Sequence, residues 1–273
     1  MKCVVHHEAG PEFVELGKEL AAIAAKVAPL VEQVTDLTLP DTLVIRTMAV
    51  PDWTQAHRRK WKRLLTRELG ELRPSSDERA QAAQRLKRHL DRRDEFWPTM
   101  LGEAVAFEPG CPELVIVPES LRQAGRLDDG PTLYKICTHE MTHLAQYEAS
   151  GGTVWTVPET FFPHRRGIQG RDFASLVEGH AYWADQQITS QLFGEPVSTD
   201  EPSPYASLRY RALHASPLRM AGVERQRLAT DTVAQLIRQE GVNFFNRVWT
   251  DFSLVPMATD TTPDLWRQRF QPR

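Results

Sequence analysis

The chain has 273 residues, of which 41% are hydrophobic, 25% are charged and 8% are aromatic, and its formal net charge is −3. This length and composition are typical of a globular protein with one domain and a helical extension, and the small negative charge favours neither nucleic acid nor an anionic membrane as a partner. Its three scattered cysteines, without CxxC spacing, indicate neither a disulfide framework nor a thiolate metal site.

The N-terminal residues and the cysteine usage together predict a cytoplasmic protein. The opening segment MKCVVHHEAGPEF lacks the uninterrupted apolar run of a secretory signal. The most apolar early segment, residues 20–31, contains Lys26 and Pro29 and is too short to cross a bilayer. We therefore expect no membrane span and a reducing compartment.

Predicted elements of the first hundred residues are mainly helical. Residues 11–34 have apolar side chains at three-to-four spacing and predict a helix. Residues 42–50 are rich in β-branched and apolar side chains between two prolines, which indicates a strand. Charged helices are expected at about 53–70 and 77–93. We interpret residues 1–100 as a mainly helical N-terminal part.

The remaining residues, 101–273, are expected to form the catalytic part, in one compact unit with the first. The segment EAVAFEPGCPELVIVP predicts two short strands joined by a turn at Pro109 and Gly110. The next helix begins at DDGP, where Pro131 suits the first helical position, and it ends at Gly151. Further helices are expected at 172–193, 204–215, 219–240 and 242–252. The fold class is therefore α+β and mostly α-helical.

The segment CTHEMTHLAQYE, residues 137–148, contains the pattern HExxH. Four residues turn a helix by about 400°, so the imidazoles of His139 and His143 project from one face and can share one ion. Glu140 lies about 100° around the helix and can reach a water molecule on that ion without binding the ion. Two imidazoles, a third protein ligand and one open position make a catalytic zinc site. The spacing predicts a Zn²⁺ centre with Glu140 as proton acceptor.

Two interpretations of this helix stay open. The pattern can arise by chance, in which case the histidines form a solvated face or pack in the core. The metal interpretation is favoured by the apolar strand that precedes the helix, since an edge strand beside the ion could hold an extended peptide.

The third ligand is expected from FASLVEGHAYWAD, residues 173–185, which contains Glu178 and His180. These two residues point about 200° apart on a regular helix, so only one can bind the ion. Glu178 shares its face with small alanines, which favours it as the ligand and leaves His180 as a partner of a ligand, a proton donor or a core residue. Asp185 could orient a ligating imidazole or be a solvated carboxylate.

Hydrolysis of an amide also needs a donor for the developing oxyanion. Tyr147 follows the ligand face four residues after His143 and is the first candidate. His180 is a second candidate. Other candidates without a diagnostic motif are Tyr205, Tyr210, Arg211 and His214.

Three basic segments have alternative interpretations. Residues 57–67 and 85–95 mix basic and apolar side chains and fit solvated faces of amphipathic helices better than a nucleic-acid site. Residues 161–166, FFPHRR, lie between the two ligand helices and could border the cleft and receive an acidic substrate.

Three ordered segments, ICTHEMTHLAQYE, SLVEGHA and GVNFFNRVWTDFSLVPMATD with Trp266 after it, resemble a bacterial family of zincin-like proteins. That family is assigned as metallopeptidases and is associated with deazaflavin coenzyme biosynthesis, and the resemblance covers residues 113–270. It implies a zincin-like metallopeptidase core, with a small sheet, an HExxH helix and a glutamate helix, between helical N- and C-terminal parts. It also implies the zinc ligands His139, His143 and Glu178 and the catalytic residue Glu140, as in gluzincins.

Sequence and resemblance together predict a zinc-dependent hydrolase, a metallopeptidase in which Glu140 assists the attack of zinc-bound water on a peptide or a small amide-containing substrate. One alternative is a metal-dependent enzyme of a specialised biosynthetic pathway that acts on a small intermediate. Another is a non-catalytic zinc-binding regulatory protein, although a structural site needs no adjacent base. No oligomeric state is predicted.

Overall fold

The computed structural model describes residues 2–260 and 262–270. It is an α+β structure in which most residues are helical, as the sequence predicts. The four strands are β1 Lys2–Glu8, β2 Thr42–Met48, β3 Glu103–Glu108 and β4 Cys111–Ile116. The helices are α1 Val14–Thr35, α2 Val50–Leu72, α3 Ser76–Phe96, α4 Pro118–Ala124, α5 Gly130–Ala149, α6 Thr153–Thr156, α7 Phe173–Phe193, α8 Leu208–His214, α9 Pro217–Glu240, α10 Val242–Phe245 and α11 Pro263–Arg267.

The strands form one sheet in the order β1-β2-β4-β3. The pairs β1–β2 and β2–β4 are parallel, whereas β3 runs antiparallel to β4, to which a tight turn joins it. Among the described strands β3 pairs with β4 alone, so its other edge is available to hydrogen-bond groups of α5 or of a ligand.

The two faces of the sheet bury different sets of side chains, because successive strand residues point to opposite faces. Leu43 and Ile45 of β2 face α1 and α5 and belong to the largest apolar cluster of the described residues. Val105 and Val115 point the other way, into a smaller cluster with Trp53 of α2. The sheet is therefore a central layer between α2 on one side and α1 with α5 on the other.

Most predicted elements are present with ends shifted by a few residues, and the exceptions lie where polar side chains or short length weaken the pattern. β1 was not expected, since it contains His6, His7 and Glu8, all exposed. This segment forms a strand because it pairs in parallel with β2, which is distant in sequence. The short helix α4 was also missed, and the predicted helix at 242–252 is a chain of shorter turns.

The predicted division at residue 100 stays a prediction, and the sheet crosses it because β2 pairs with β4. None of the helices in the described ranges combines the length and the apolar character that a membrane span requires.

Candidate metal centre

The helix α5 is buried along most of its length, which rules out an ordinary solvated face for its histidines. Asp129 precedes its first residue, and the Asp129 carboxylate accepts a hydrogen bond from the backbone N–H of Thr132 and so caps the first turn. Helices α1 and α7 and strands β3 and β4 pack around residues 132–146. His139 is only 9% exposed and His143 only 7%.

Glu178 reaches this face of α5 from α7, which packs across it. Its carboxylate oxygens lie 3.5 Å from His139 Nε2 and 3.7 Å from His143 Nε2. The two Nε2 atoms are 3.2 Å apart. The three side chains therefore direct one nitrogen or oxygen each at a common point, with all three ligand atoms within 4.8 Å of one another.

These separations fit a single small divalent cation. Two ligands about 2.0 to 2.1 Å from a tetrahedral ion are roughly 3.3 Å apart. The two Nε2 atoms, 3.2 Å apart, are close to that separation, and Glu178 lies slightly farther off, with Oε2 3.5 Å from His139 Nε2 and Oε1 3.7 Å from His143 Nε2. Three protein ligands also leave one tetrahedral position for another molecule, the pattern of catalytic rather than structural sites. His139, His143 and Glu178 could thus hold a metal ion.

A second set of buried side chains orients the two imidazoles. His139 Nδ1 is 3.0 Å from Asp185 Oδ2, and Asp185 also accepts hydrogen bonds from Lys135 Nζ at 3.0 and 3.1 Å. His143 Nδ1 is 3.0 Å from Gln146 Oε1. Because each Nδ1 has a partner, each Nε2 is directed at the cluster, as metal sites require. Asp185 has no exposed surface, so it orients an imidazole and is not a solvated carboxylate.

His180 does not face the open side of the cluster. It has no exposed surface, and its ring stacks on Phe245 at 5.3 Å between centroids and contacts Trp249 edge-on. Its Nδ1 accepts from Gln146 Nε2 at 3.1 Å, the amide that also orients His143. Burial lowers the pKa of His180 to about 3, so the ring is neutral. The structure therefore places His180 behind the ligands and not at a position for direct proton donation.

Glu140 is held against the edge strand. Its Oε2 accepts a hydrogen bond from the backbone N–H of Ala104 in β3 at 2.7 Å. Burial, opposed by His139 and assisted by the nearby carboxylate of Glu178, raises the pKa of Glu140 to about 7. A carboxylate with a pKa near neutral can both take and return a proton at ordinary pH.

The charges around the cluster favour a cation. Burial acts to lower the pKa of His139, yet hydrogen bonds to Asp185 and Glu178 raise it to about 10. Burial acts to raise the pKa of Glu178, but the two imidazoles outweigh it and lower that pKa to about 2. The carboxylates that stabilise a proton on His139 would equally stabilise a metal ion in its place.

Two cavities adjoin the cluster and share part of their walls. The larger, of about 450 Å³, is lined by Glu140 together with Thr99, Gly102, Tyr182 and Arg219. The smaller, of about 260 Å³, is lined largely by aromatic and apolar side chains. Both are bordered by His143, Glu178, Ala104, Glu103 and Arg93, so they form one cleft that passes the cluster on two sides.

The predicted oxyanion donor Tyr147 lies outside this cleft. Its ring packs edge-on against Trp155 at 4.9 Å, and it lines neither cavity. The other candidates, Tyr205, Tyr210, Arg211 and His214, line neither cavity either. The cleft instead contains Tyr182 and Arg219, which sequence reasoning did not select. Tyr182 could have been found, because it follows Glu178 by four residues and shares its face; Arg219 carries no such signal.

The FFPHRR loop does not offer its charges to the cleft. Arg165 and His164 contact Glu78, and Arg166 contacts Glu71. The expectation that this loop receives an acidic substrate is therefore wrong, because its cationic groups already pair with the carboxylates of α2 and α3.

Comparison with known proteins supports the fold. No family model matches the sequence, and no curated protein matches it. Among solved structures, the chain is similar to a crystal structure from Chloroflexus aurantiacus described as "a putative hydrolase with a novel fold". The match has a TM-score of 0.62 at 18% sequence identity, and it covers 97% of this chain and 93% of that chain. At this identity the match shows a shared fold along nearly the whole of both chains.

Proposed function

We propose that the protein is a zinc-dependent hydrolase of the metallopeptidase type that cleaves an amide or peptide bond. The observation that carries the proposal is the convergence of His139, His143 and Glu178 on one point while Glu140 stands beside them in an open cleft. Nitrogen and carboxylate donors in this number suit zinc. A bound zinc ion would polarise the amide carbonyl and lower the pKa of a water molecule.

The chain's own residues supply the remaining steps. Glu140, fixed by the Ala104 N–H, takes a proton from the attacking water and delivers it to the leaving nitrogen. One carbon–oxygen bond forms and the carbon–nitrogen bond breaks, which gives an acid and an amine. Tyr182 and Arg219 line the cavity beside Glu140 and can donate hydrogen bonds to a bound substrate. Apart from the Ala104 N–H, which holds Glu140, the outer edge of β3 can pair with an extended substrate.

The zincin-type arrangement is part of this proposal. A mixed sheet, an antiparallel edge strand, an HExxH helix and a glutamate helix occur together here. The three segments that resemble the family associated with deazaflavin coenzyme biosynthesis support it, and so does the structural neighbour described as "a putative hydrolase". The third segment contributes Phe245 and Trp249, which pack around His180 behind the ligands.

The test combines metal analysis with a broad peptide mixture. Zinc-loaded protein is incubated with the mixture, and new termini are identified by mass spectrometry. We expect Glu140→Gln to keep one zinc per chain and to lose a factor of about 100 to 10,000 in kcat. Glu178→Ala is expected to lose the zinc itself. Glu148→Gln, at an exposed position of the same helix, is the matched control and should keep both.

Retained activity in Glu140→Gln would contradict the assigned proton transfer. Absence of any stoichiometric zinc in wild-type protein, or of any cleaved amide with zinc bound, would contradict the hydrolase proposal itself.

A further inference from the structure

The larger cavity contains a cation that has no carboxylate partner among the residues that the structure describes. Arg219, in the first turn of α9, lines this cavity together with Glu140 and Glu178. Within residues 2–260 and 262–270 its guanidinium has no carboxylate at ion-pair distance, and its one side-chain hydrogen bond is a long one, 3.4 Å to Gln226 Oε1. A half-buried guanidinium without an anion is a ready site for one.

The other cations of the cavity are already paired. Arg93 Nη2 donates to Glu103 Oε1 at 2.8 Å, and Lys135 Nζ donates to both oxygens of Asp185. Arg219 is therefore the cation of this cavity that remains available to a ligand, as far as the described residues extend.

A second donor faces the same space. Tyr182 packs edge-on against the His139 imidazole, with 4.4 Å between ring centroids, and Lys135 Nζ lies 5.0 Å from its ring centroid. In the described part of the chain its hydroxyl has no hydrogen-bond partner, although it lines the cavity. A phenol and a guanidinium beside the metal cluster, both lacking an acceptor, suit a ligand with carboxylate oxygens.

The smaller cavity has the opposite character. Its walls include the aromatic and apolar side chains of Trp61, Trp155, Phe173 and Val177, while its charged Lys60 and Glu159 pair with each other. The cleft therefore offers an apolar side and a cationic side, with the cluster and Glu140 between them. This asymmetry predicts the polarity of the substrate and not only its size.

The direction of β3 relates these sides to the two ends of the scissile bond. Thr99 and Gly102 precede β3 and line only the larger cavity, which contains Arg219. Val105, within β3, lines only the smaller, more aromatic cavity. A substrate strand antiparallel to β3, the more stable pairing, would enter from the aromatic cavity and leave through the other. Its carboxyl-terminal side would then reach Arg219.

From these observations, and resting on the proposed function, we propose that the substrate carries a carboxylate on the amine side of the scissile amide, bound by Arg219 and Tyr182, and an apolar group on the acyl side. The carboxylate can be a chain terminus or the side chain of an acidic residue, since both present the same two oxygens to the guanidinium.

Binding separates this proposal from catalysis. Zinc-loaded Glu140→Gln is titrated calorimetrically with N-acetyl-Phe-Leu as free acid and as amide, and with N-acetyl-Phe-Glu-amide and N-acetyl-Phe-Gln-amide. We expect the acid of at least one pair to bind roughly 10- to 100-fold more tightly, and the pair that discriminates identifies the source of the carboxylate. Adding Arg219→Gln should abolish the preference, and Arg219→Lys should retain part of it.

The matched control is Arg225→Gln, which removes an exposed arginine of the same helix that lines neither cavity. It should keep the full preference. Thermal melts establish that each variant is folded. Equal binding of acid and neutral ligand in both pairs would overturn the proposal, and so would a preference that survives Arg219→Gln.

A third pair fixes the orientation. If N-acetyl-Glu-Phe-amide, with the acid on the acyl side, is favoured over N-acetyl-Gln-Phe-amide while the other pairs bind equally, the assigned direction is wrong. An acid preference that depends on Arg219, in a wild-type protein that hydrolyses no peptide when loaded with zinc, would refute the hydrolase and leave the carboxylate site intact.

Discussion

Asp185→Asn tests whether the fully buried carboxylate behind His139 acts on metal affinity, on stability, or on both. Asp185 accepts from His139 Nδ1 at 3.0 Å and is the counter-ion of Lys135, whose side chain is only 8% exposed. Loss of a carboxylate that orients a ligating imidazole typically weakens metal binding about 10- to 100-fold. Loss of one partner of a buried ion pair costs about 3 to 5 kcal/mol of unfolding free energy, and the remaining asparagine oxygen places the expected loss near 3 kcal/mol.

The two effects separate in a double variant. Adding Lys135→Met to Asp185→Asn removes the unpaired ammonium, so we expect stability to recover while zinc affinity stays low. Urea unfolding measures the first quantity, and competition with a chromogenic chelator measures the second. Unchanged zinc affinity in folded Asp185→Asn would refute the reasoning, because His139 would then be oriented without its carboxylate partner.

Four further expectations concern metal binding, two glycines and pH. Zinc at 100 times its Kd should raise the unfolding free energy of metal-free protein by about 2.7 kcal/mol, and His143→Ala should abolish this. Gly179→Ala should cost about 1 to 3 kcal/mol in urea unfolding, because its Cβ would lie 2.7 Å from the Ala229 carbonyl oxygen. Gly222→Ala, with no atom within 4 Å, should instead stabilise α9 by about 0.5 to 1 kcal/mol. Burial and Arg93 lower the pKa of His89 from 6.5 to about 4, so the neutral ring's contribution to stability is fully present above pH 6.5 and is lost as the pH falls toward 4. A urea midpoint that depends on pH as strongly in His89→Gln as in the wild type would contradict this.

The local part of the site could be predicted because helix geometry alone relates its members. His139, Glu140 and His143 lie within one helix, so their common face follows from the spacing. Glu178 over His180 was also predictable as a choice between opposite faces of α7. The contacts that fix the rotation of α7 could not be predicted. They are the packing of α9 against Gly179 and the hydrogen bond from Gln146 to His180.

Extrapolating the same geometry along α5 placed Tyr147 wrongly in the cleft. Each step of four residues advances the face by about 40°, so Tyr147 lies about 80° from His139. That drift turns its ring toward Trp155, at the end of the helix. Tyr182 is only one such step from Glu178 and therefore stays on the ligand side. Arg219 and β1 could not be predicted, because both depend on contacts between segments far apart in sequence.

The charges of the cleft connect the metal with the acidic substrate. Glu140, Glu178 and Asp185 place three carboxylates around one point, and within the described residues Lys135 is the cation that bonds to one of them. A divalent ion together with Lys135 would neutralise these three carboxylates, and the charge of Arg219 would then remain for a ligand. Without the ion, Lys135 and a proton on His139 compensate only two of the three carboxylates, and the remaining negative charge opposes the binding of an acid. Binding of an acidic ligand should therefore require the metal even where the ligand does not touch it, so a carboxylate preference of equal size in metal-free protein would contradict this electrostatic coupling.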